Sequence, residues 1–264
     1  MSFETATAIN SEQHPYTAEI AEGWDVVGNA NGGYLLAIGA RAMATAAARP
    51  YPISVTAHYL SPGRPGPVTI DPQIVKAGRR LTTVRGTLAS TEKPLIELLG
   101  SFADLEGFEG PARVDASPPD MPPPDECPRT VPDLELGFPP AMMGRVDLRL
   151  HPDDANFLSG KPSGDPLIRG WLRFPDDEPM DPFGLLLATD CFPPTIFNAN
   201  LPVAWTPTVE LTAHIRAIPE PGWLRCRFST RFISGGMMEE DGEVWDSSGR
   251  LVAQSRQLAL TPKA

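Results

Sequence analysis

The sequence predicts an α+β fold built from two copies of one unit, each an antiparallel sheet wrapped around a central helix. Three observations carry this. The two halves of the 264 residues can be laid together at an offset of about 156: Thr56-Ala57-His58 falls on Thr212-Ala213-His214, and Pro65-Gly66 on Pro221-Gly222. Each half reads as one apolar helix followed by β-branched or alternating runs joined by short Gly- or Pro-containing turns. Between them lies a proline-crowded stretch, with Pro118-Pro119, Pro122-Pro123-Pro124 and Pro139-Pro140, where missing backbone donors disfavour helix and central strand alike. The expected domains are residues 1–106, a linker over 107–160, and 161–264, each half large enough for its own core.

Taken in chain order, Gly23-Trp24-Asp25-Val26 is the expected initial strand of the first half. Asn31 then caps a helix over Tyr34 to Ala48, rich in Ala, Leu, Met and Arg. Its apolar residues run nearly all the way round and many are small, which predicts a helix enclosed by other structure. Strands are expected at Ile53 to Leu60, Val68 to Val75, Leu81 to Leu88 and Leu95 to Leu105. In the second half, Leu167 to Phe174 is the initial strand. A shorter helix from Asp181 to Phe192 follows, with Asp181 as N-cap, Pro182 at the first helical position, and Pro193-Pro194 ending it. Strands at Val209 to Ile218, Trp223 to Ile233, Met238 to Trp245 and Leu251 to Leu260 complete the repeat. A strand, a buried helix and a meander that curls around it is the hotdog pattern, here duplicated as a tandem (double) hotdog.

Composition narrows the function. A net charge of −11 argues against nucleic acid as the main partner, since phosphate binding needs a concentrated basic surface; the Arg79-Arg80 pair could serve a CoA nucleotide, though such a pair is more often a solvated turn. The three cysteines Cys127, Cys191 and Cys226 are widely spaced with no CxxC pair, which points to a reduced, cytoplasmic chain and no metal site. No run is long and apolar enough for membrane insertion, and no organic cofactor is implied. There is no Gly-x-Ser-x-Gly elbow for a serine hydrolase, and neither helix start offers the Asp-His pair that a hotdog dehydratase needs.

Thr208-Val209-Glu210 opening a strand, Asp190 on the preceding helix and Leu251-Val252-Ala253 followed by Gln257 together resemble the second half of the type II (TesB-like) acyl-CoA thioesterases. Gly32-Gly33, His58-Tyr59-Leu60 with Pro62-Gly63, and Gly78-Arg79-Arg80 resemble its first half. The resemblance implies hydrolysis of an acyl-CoA to acid and thiol, a dimer of double hotdogs, and a catalytic trio of Asp190, Thr208 and Gln257. Thr206 is an alternative to Thr208 that shares its face if both lie in the strand. Asp190, flanked by Leu185-Leu186-Leu187-Ala188 and Cys191-Phe192, is expected to have a raised pKa suited to a general base. Thr208 and Gln257 would hold the attacking water. Asn31, Gly32 and Gly33 would bind substrate, with the glycine N–H groups meeting the developing oxyanion. At the repeat offset Asp190 falls on Tyr34 and Gln257 on Ser101, so one site per chain is expected; His58 and His214 read as structural. The rival reading is an acyl-CoA or lipid-binding module without turnover.

Overall fold

The computed structural model describes residues 1–132, 140–175 and 178–262. The first half contains α1 (Phe3–Ala6), β1 (Ile9–Asn10), β2 (Tyr16–Ile20), a small hairpin of β3 (Asp25–Val26) and β4 (Asn29–Ala30), and α2 (Gly32–Ala47). The meander β5 (Tyr51–Tyr59), β6 (Gly66–Ala77), β7 (Thr82–Ser90) and β8 (Pro94–Ala103) follows. The second half contains β9 (Asp147–Leu150), β10 (Leu167–Arg173), α3 (Pro182–Ala188), β11 (Thr208–Ile215), β12 (Leu224–Ser229), β13 (Ile233–Ser234), β14 (Met237–Trp245) and β15 (Leu251–Leu260). No helix among the described residues is long and apolar enough to cross a membrane.

One continuous antiparallel sheet runs through both halves in the order β1-β2-β6-β7-β8-β5-β11-β15-β14-β12-β10-β9, with β13 paired to β14. The order reverses about its midpoint, as two hotdogs related by a twofold require. The axis can be located to a residue: Thr56 on β5 lies opposite Thr212 on β11, their hydroxyls 2.8 Å apart. These are the residues that coincide at the repeat offset, so each half meets its own equivalent across the seam.

The alternation of the strands decides what faces inward. Val55 and Ala57 of β5, Val84 and Leu88 of β7, and Ile96 and Leu98 of β8 close around α2. Most of that helix is enclosed, with Tyr34, Leu36, Ala37, Ile38, Ala40, Ala42 and Met43 fully buried and Thr45 exposed near its end. Small side chains let the sheet approach closely, and Gly39 faces Leu98, whose methyl carbons lie 3.0 and 3.1 Å from where a Cβ would stand. Arg41 ties α2 to the second half, with Nη2 2.8 Å from Oδ2 of Asp181, the N-cap of α3, and its guanidinium 4.4 Å from the Phe183 ring centre.

Three expectations need correction. The initial strand of the first half is Tyr16–Ile20, paired with β6, and not Gly23 to Val26. Positive φ at Gly23, Val27 and Gly28 turns that stretch into the small hairpin, with Trp24 buried in the core. The second helix stops at Ala188 instead of reaching Phe192, because Pro193 and Pro194 remove the donors its next turn needs and the Thr189 hydroxyl bonds back to the Leu186 carbonyl. The segment expected as linker through residue 160 is folded from residue 140 onward. Met142, Met143, Val146 and Leu148 are buried there, and β9 extends the sheet beside β10. Earlier in the segment the chain drapes over the second half, where the Trp171 indole N–H and the Arg149 guanidinium each donate to a proline carbonyl, Pro122 and Pro124, at 2.8 Å. Pro139 lies outside the described residues.

Replacing Leu36, at the centre of α2, by Ala removes methyl groups from a site without room to collapse. Denaturant unfolding should register a loss of about 2–5 kcal/mol.

Candidate active site

A cavity of about 310 Å³ opens where the two halves meet. Its floor is the sheet, and each of five neighbouring strands contributes a side chain: Tyr59 from β5, Thr208 from β11, Gln257 from β15, Glu240 from β14 and Phe228 from β12. Gln257 and Glu240 are directly opposed in register. The roof is the start of α2, with Asn31, Gly32 and Leu35, together with Asp190, Phe192 and Phe197 from the segment after α3.

Asp190 stands at the centre. It belongs to the turn after α3, two residues past the helix, with its N–H bonded to the Leu187 carbonyl. Its carboxylate caps the other half's helix: Oδ2 accepts the Gly33 N–H at 2.7 Å and an Asn31 amide N–H at 3.0 Å, while Asn31 also donates to the Asp190 carbonyl at 2.9 Å. The positive end of α2 suits an anion there. Asp190 lines the cavity, and burial of its carboxylate outweighs the bonds from Gly33, Asn31 and Gly32, lifting its pKa to about 6. That shift amounts to roughly 3 kcal/mol against the ionised form.

Both glycines are required by this contact. A Cβ on Gly33 would lie 2.8 Å from the Leu186 carbonyl oxygen and 2.9 Å from the Asp190 Cβ; one on Gly32 would lie 2.9 Å from Asp190 Oδ2 and 2.8 Å from Tyr59 Cε1. The expectation that Gly33 greets the substrate therefore changes. Its N–H is already donated to Asp190, and Asn31 serves both Asp190 and the helix N-cap, where its Oδ1 accepts the Tyr34 N–H.

The sequence-derived trio converges on the cavity: Asp190, Thr208 and Gln257 all line it, as does Thr206. The Thr206 hydroxyl donates to the Ala204 carbonyl at 3.2 Å, whereas the Thr208 hydroxyl and the Gln257 amide make no hydrogen bond among the described residues. His58 and His214 are exposed and do not line the cavity.

Two polar groups escaped the sequence reading. The Tyr59 hydroxyl is sealed from solvent and has no hydrogen-bond partner among the described residues, and burial, then the charges of Asp190 and Glu210, hold its pKa well above the usual phenol range. Glu240 is buried, and that burial lifts its pKa to about 7. A sequence signal for Glu240 existed, because it shares the inward phase of β14 with Met238 and Val244.

Two hotdogs sharing one sheet, with an enclosed carboxylate at their junction, define a double-hotdog protein. Family models for the acyl-CoA thioesterase N-terminal domain and C-terminal domain match residues 20–103 and 116–261, and the chain belongs to this acyl-CoA thioesterase family. A Thermobifida fusca structure provisionally described as a thioesterase II is similar, at 32% identity and a TM-score of 0.88 over 99% of this chain and 97% of that one. Acyl-CoA thioesterase II TesB2 of Mycobacterium marinum shares the fold at 18% identity, with a TM-score of 0.70 over 100% and 98% of the two chains. An uncharacterised Mycobacterium tuberculosis protein is 28% identical over 266 residues, 94% of this chain and 91% of its own.

Because Asp190 is harder to ionise in the fold than in the unfolded chain, its penalty is absent below about pH 4, grows as pH rises, and is complete above about pH 6. Asp190→Asn should therefore melt a few degrees above the wild type at pH 8, with the gap closing toward pH 4. Equal melting temperatures at pH 8 would contradict the burial of the charge. Gly33→Ala should instead destabilise by about 1–3 kcal/mol in denaturant, since the atoms it meets belong to backbone and a neighbouring Cβ.

Proposed function

We propose that this chain hydrolyses acyl-CoA thioesters by direct attack of water, with Asp190 as general base. The observation that carries the reading is the Asp190 carboxylate, its pKa raised to about 6 by burial, sharing one cavity with two polar side chains that make no hydrogen bond among the described residues. A base with a pKa just below the working pH is both ionised and strong enough to accept a proton.

In this mechanism the Thr208 hydroxyl and the Gln257 amide hold a water against Asp190. The water oxygen bonds to the thioester carbonyl carbon as Asp190 takes its proton. The carbonyl oxygen gains the negative charge, the C–S bond then breaks, and the departing thiolate recovers the proton from Asp190. With Gly33 already bonded to Asp190, we assign the oxyanion to the positive N-terminal end of α2, where Gly32 lines the cavity. Phe192, Phe197 and Phe228 supply the apolar wall for the acyl chain. A cavity of about 310 Å³ is at the small end of ligand sites and favours short acyl groups.

Thiol release from a panel of acyl-CoAs should be detectable with the wild type and fall at least about a hundredfold in Asp190→Asn. The acid limb of kcat/KM should bend near pH 6, since activity requires ionised Asp190. Thr208→Val should lower kcat more than Thr206→Val. Binding of acyl-CoA without turnover on any chain length would favour a non-catalytic module instead.

A further inference from the structure

Glu240 has no part in the mechanism above, yet it lines the cavity floor one strand beyond Gln257. Its Oε2 is held by Thr195, through the backbone N–H at 2.8 Å and the hydroxyl at 2.8 Å. The Thr195 hydroxyl lies 2.6 Å from that of Thr230, which lies 2.7 Å from the Glu239 carbonyl oxygen. This chain has three links from Glu240 to Glu239 and only two hydroxyl protons to fill them. A protonated Glu240 carboxyl supplies the third, so that each oxygen donates to the next.

A neutral carboxyl whose Oε2 carries the proton leaves Oε1 as a bare acceptor. Among the described residues Oε1 receives no hydrogen bond, and it is not sealed from the cavity. A plain alkyl chain lying over it would desolvate that acceptor without replacing its partner. The position of the unmet need along a substrate follows from the sheet. Neighbouring strands are about 4.8 Å apart, so a chain whose carbonyl sits over Gln257 and whose tail runs toward Phe228 passes Glu240 within its first few carbons.

We propose that Glu240 is a specificity residue that accepts a hydrogen bond from a hydroxyl on the second or third carbon of the acyl chain, making short hydroxyacyl thioesters the preferred substrates. This rests on the thioesterase reading of the same cavity. The placement of Asp190 and Glu240 fits that division of labour: one carboxyl group serves the water, the other the chain.

The test compares kcat/KM for butanoyl-CoA, 2-hydroxybutanoyl-CoA and 3-hydroxybutanoyl-CoA in the wild type, Glu240→Leu and Glu240→Gln, with thermal unfolding of each variant followed in parallel. The wild type should favour at least one hydroxyacyl substrate by about tenfold or more, in line with sites built around a substrate hydroxyl. Glu240→Leu should abolish that preference. Glu240→Gln, which keeps a polar group that a hydroxyl can meet, should retain part of it and covers the case in which the Leu variant does not fold. A wild type that turns over butanoyl-CoA as well as the hydroxylated compounds, or variants that lose activity equally on all three, would overturn the assignment of Glu240 while leaving the thioesterase reading intact. No turnover of any acyl-CoA would overturn both.

Discussion

The bond between the Asp190 carboxylate and the first turn of α2 is the contact on which the rest of the site depends. It joins a short turn of one half to the helix of the other, and it spans 157 residues of sequence. Two opposing forces meet there. Hydrogen bonds and the helix dipole stabilise the charge, while enclosure by protein disfavours it, and enclosure prevails. The outcome is a carboxylate fixed in direction and raised in basicity. The two glycines leave the room that this group occupies, and the asparagine N-cap donates to it.

The two halves repeat the strand order but differ in their helices, and the difference explains why the polar groups of the cavity gather on one side. In the first half α2 spans Gly32–Ala47 and is enclosed by its sheet. In the second, α3 covers only Pro182–Ala188, and the chain released by its early end supplies Asp190, Phe192 and Phe197 to the cavity. The floor beneath them is drawn chiefly from the second half, with Tyr59 reaching in across the seam.

Much of the fold was legible because its signals are local: alternation in the strands, small residues around α2, prolines at the boundary, and a repeat that matched Thr56 to Thr212. Asp190 was legible for a similar reason, as an acid set among apolar neighbours. What escaped depended on distance or context. The initial strand lies at Tyr16–Ile20 and not at Gly23 to Val26, where three positive φ angles that no local residue pattern announces turn the chain. The occupation of Gly33 by Asp190 could not be read from either residue alone. Glu240 lay hidden in the acidic run Glu239-Glu240-Asp241, where only the phase of the strand distinguishes the buried member from its neighbours, and the isolation of the Tyr59 hydroxyl exists only in the assembled cavity.

The meeting of Thr56 with Thr212 also bears on how such a chain can arise. A contact in which each residue faces its own counterpart is the isologous interface of a twofold dimer, self-complementary by symmetry. Two identical subunits joined this way are bound to change together, because every substitution appears twice across the interface. Placing both copies in one polypeptide lifts that constraint, because a substitution then appears once and each lobe can vary alone. The unequal lengths of α2 and α3 are of the kind that such freedom permits.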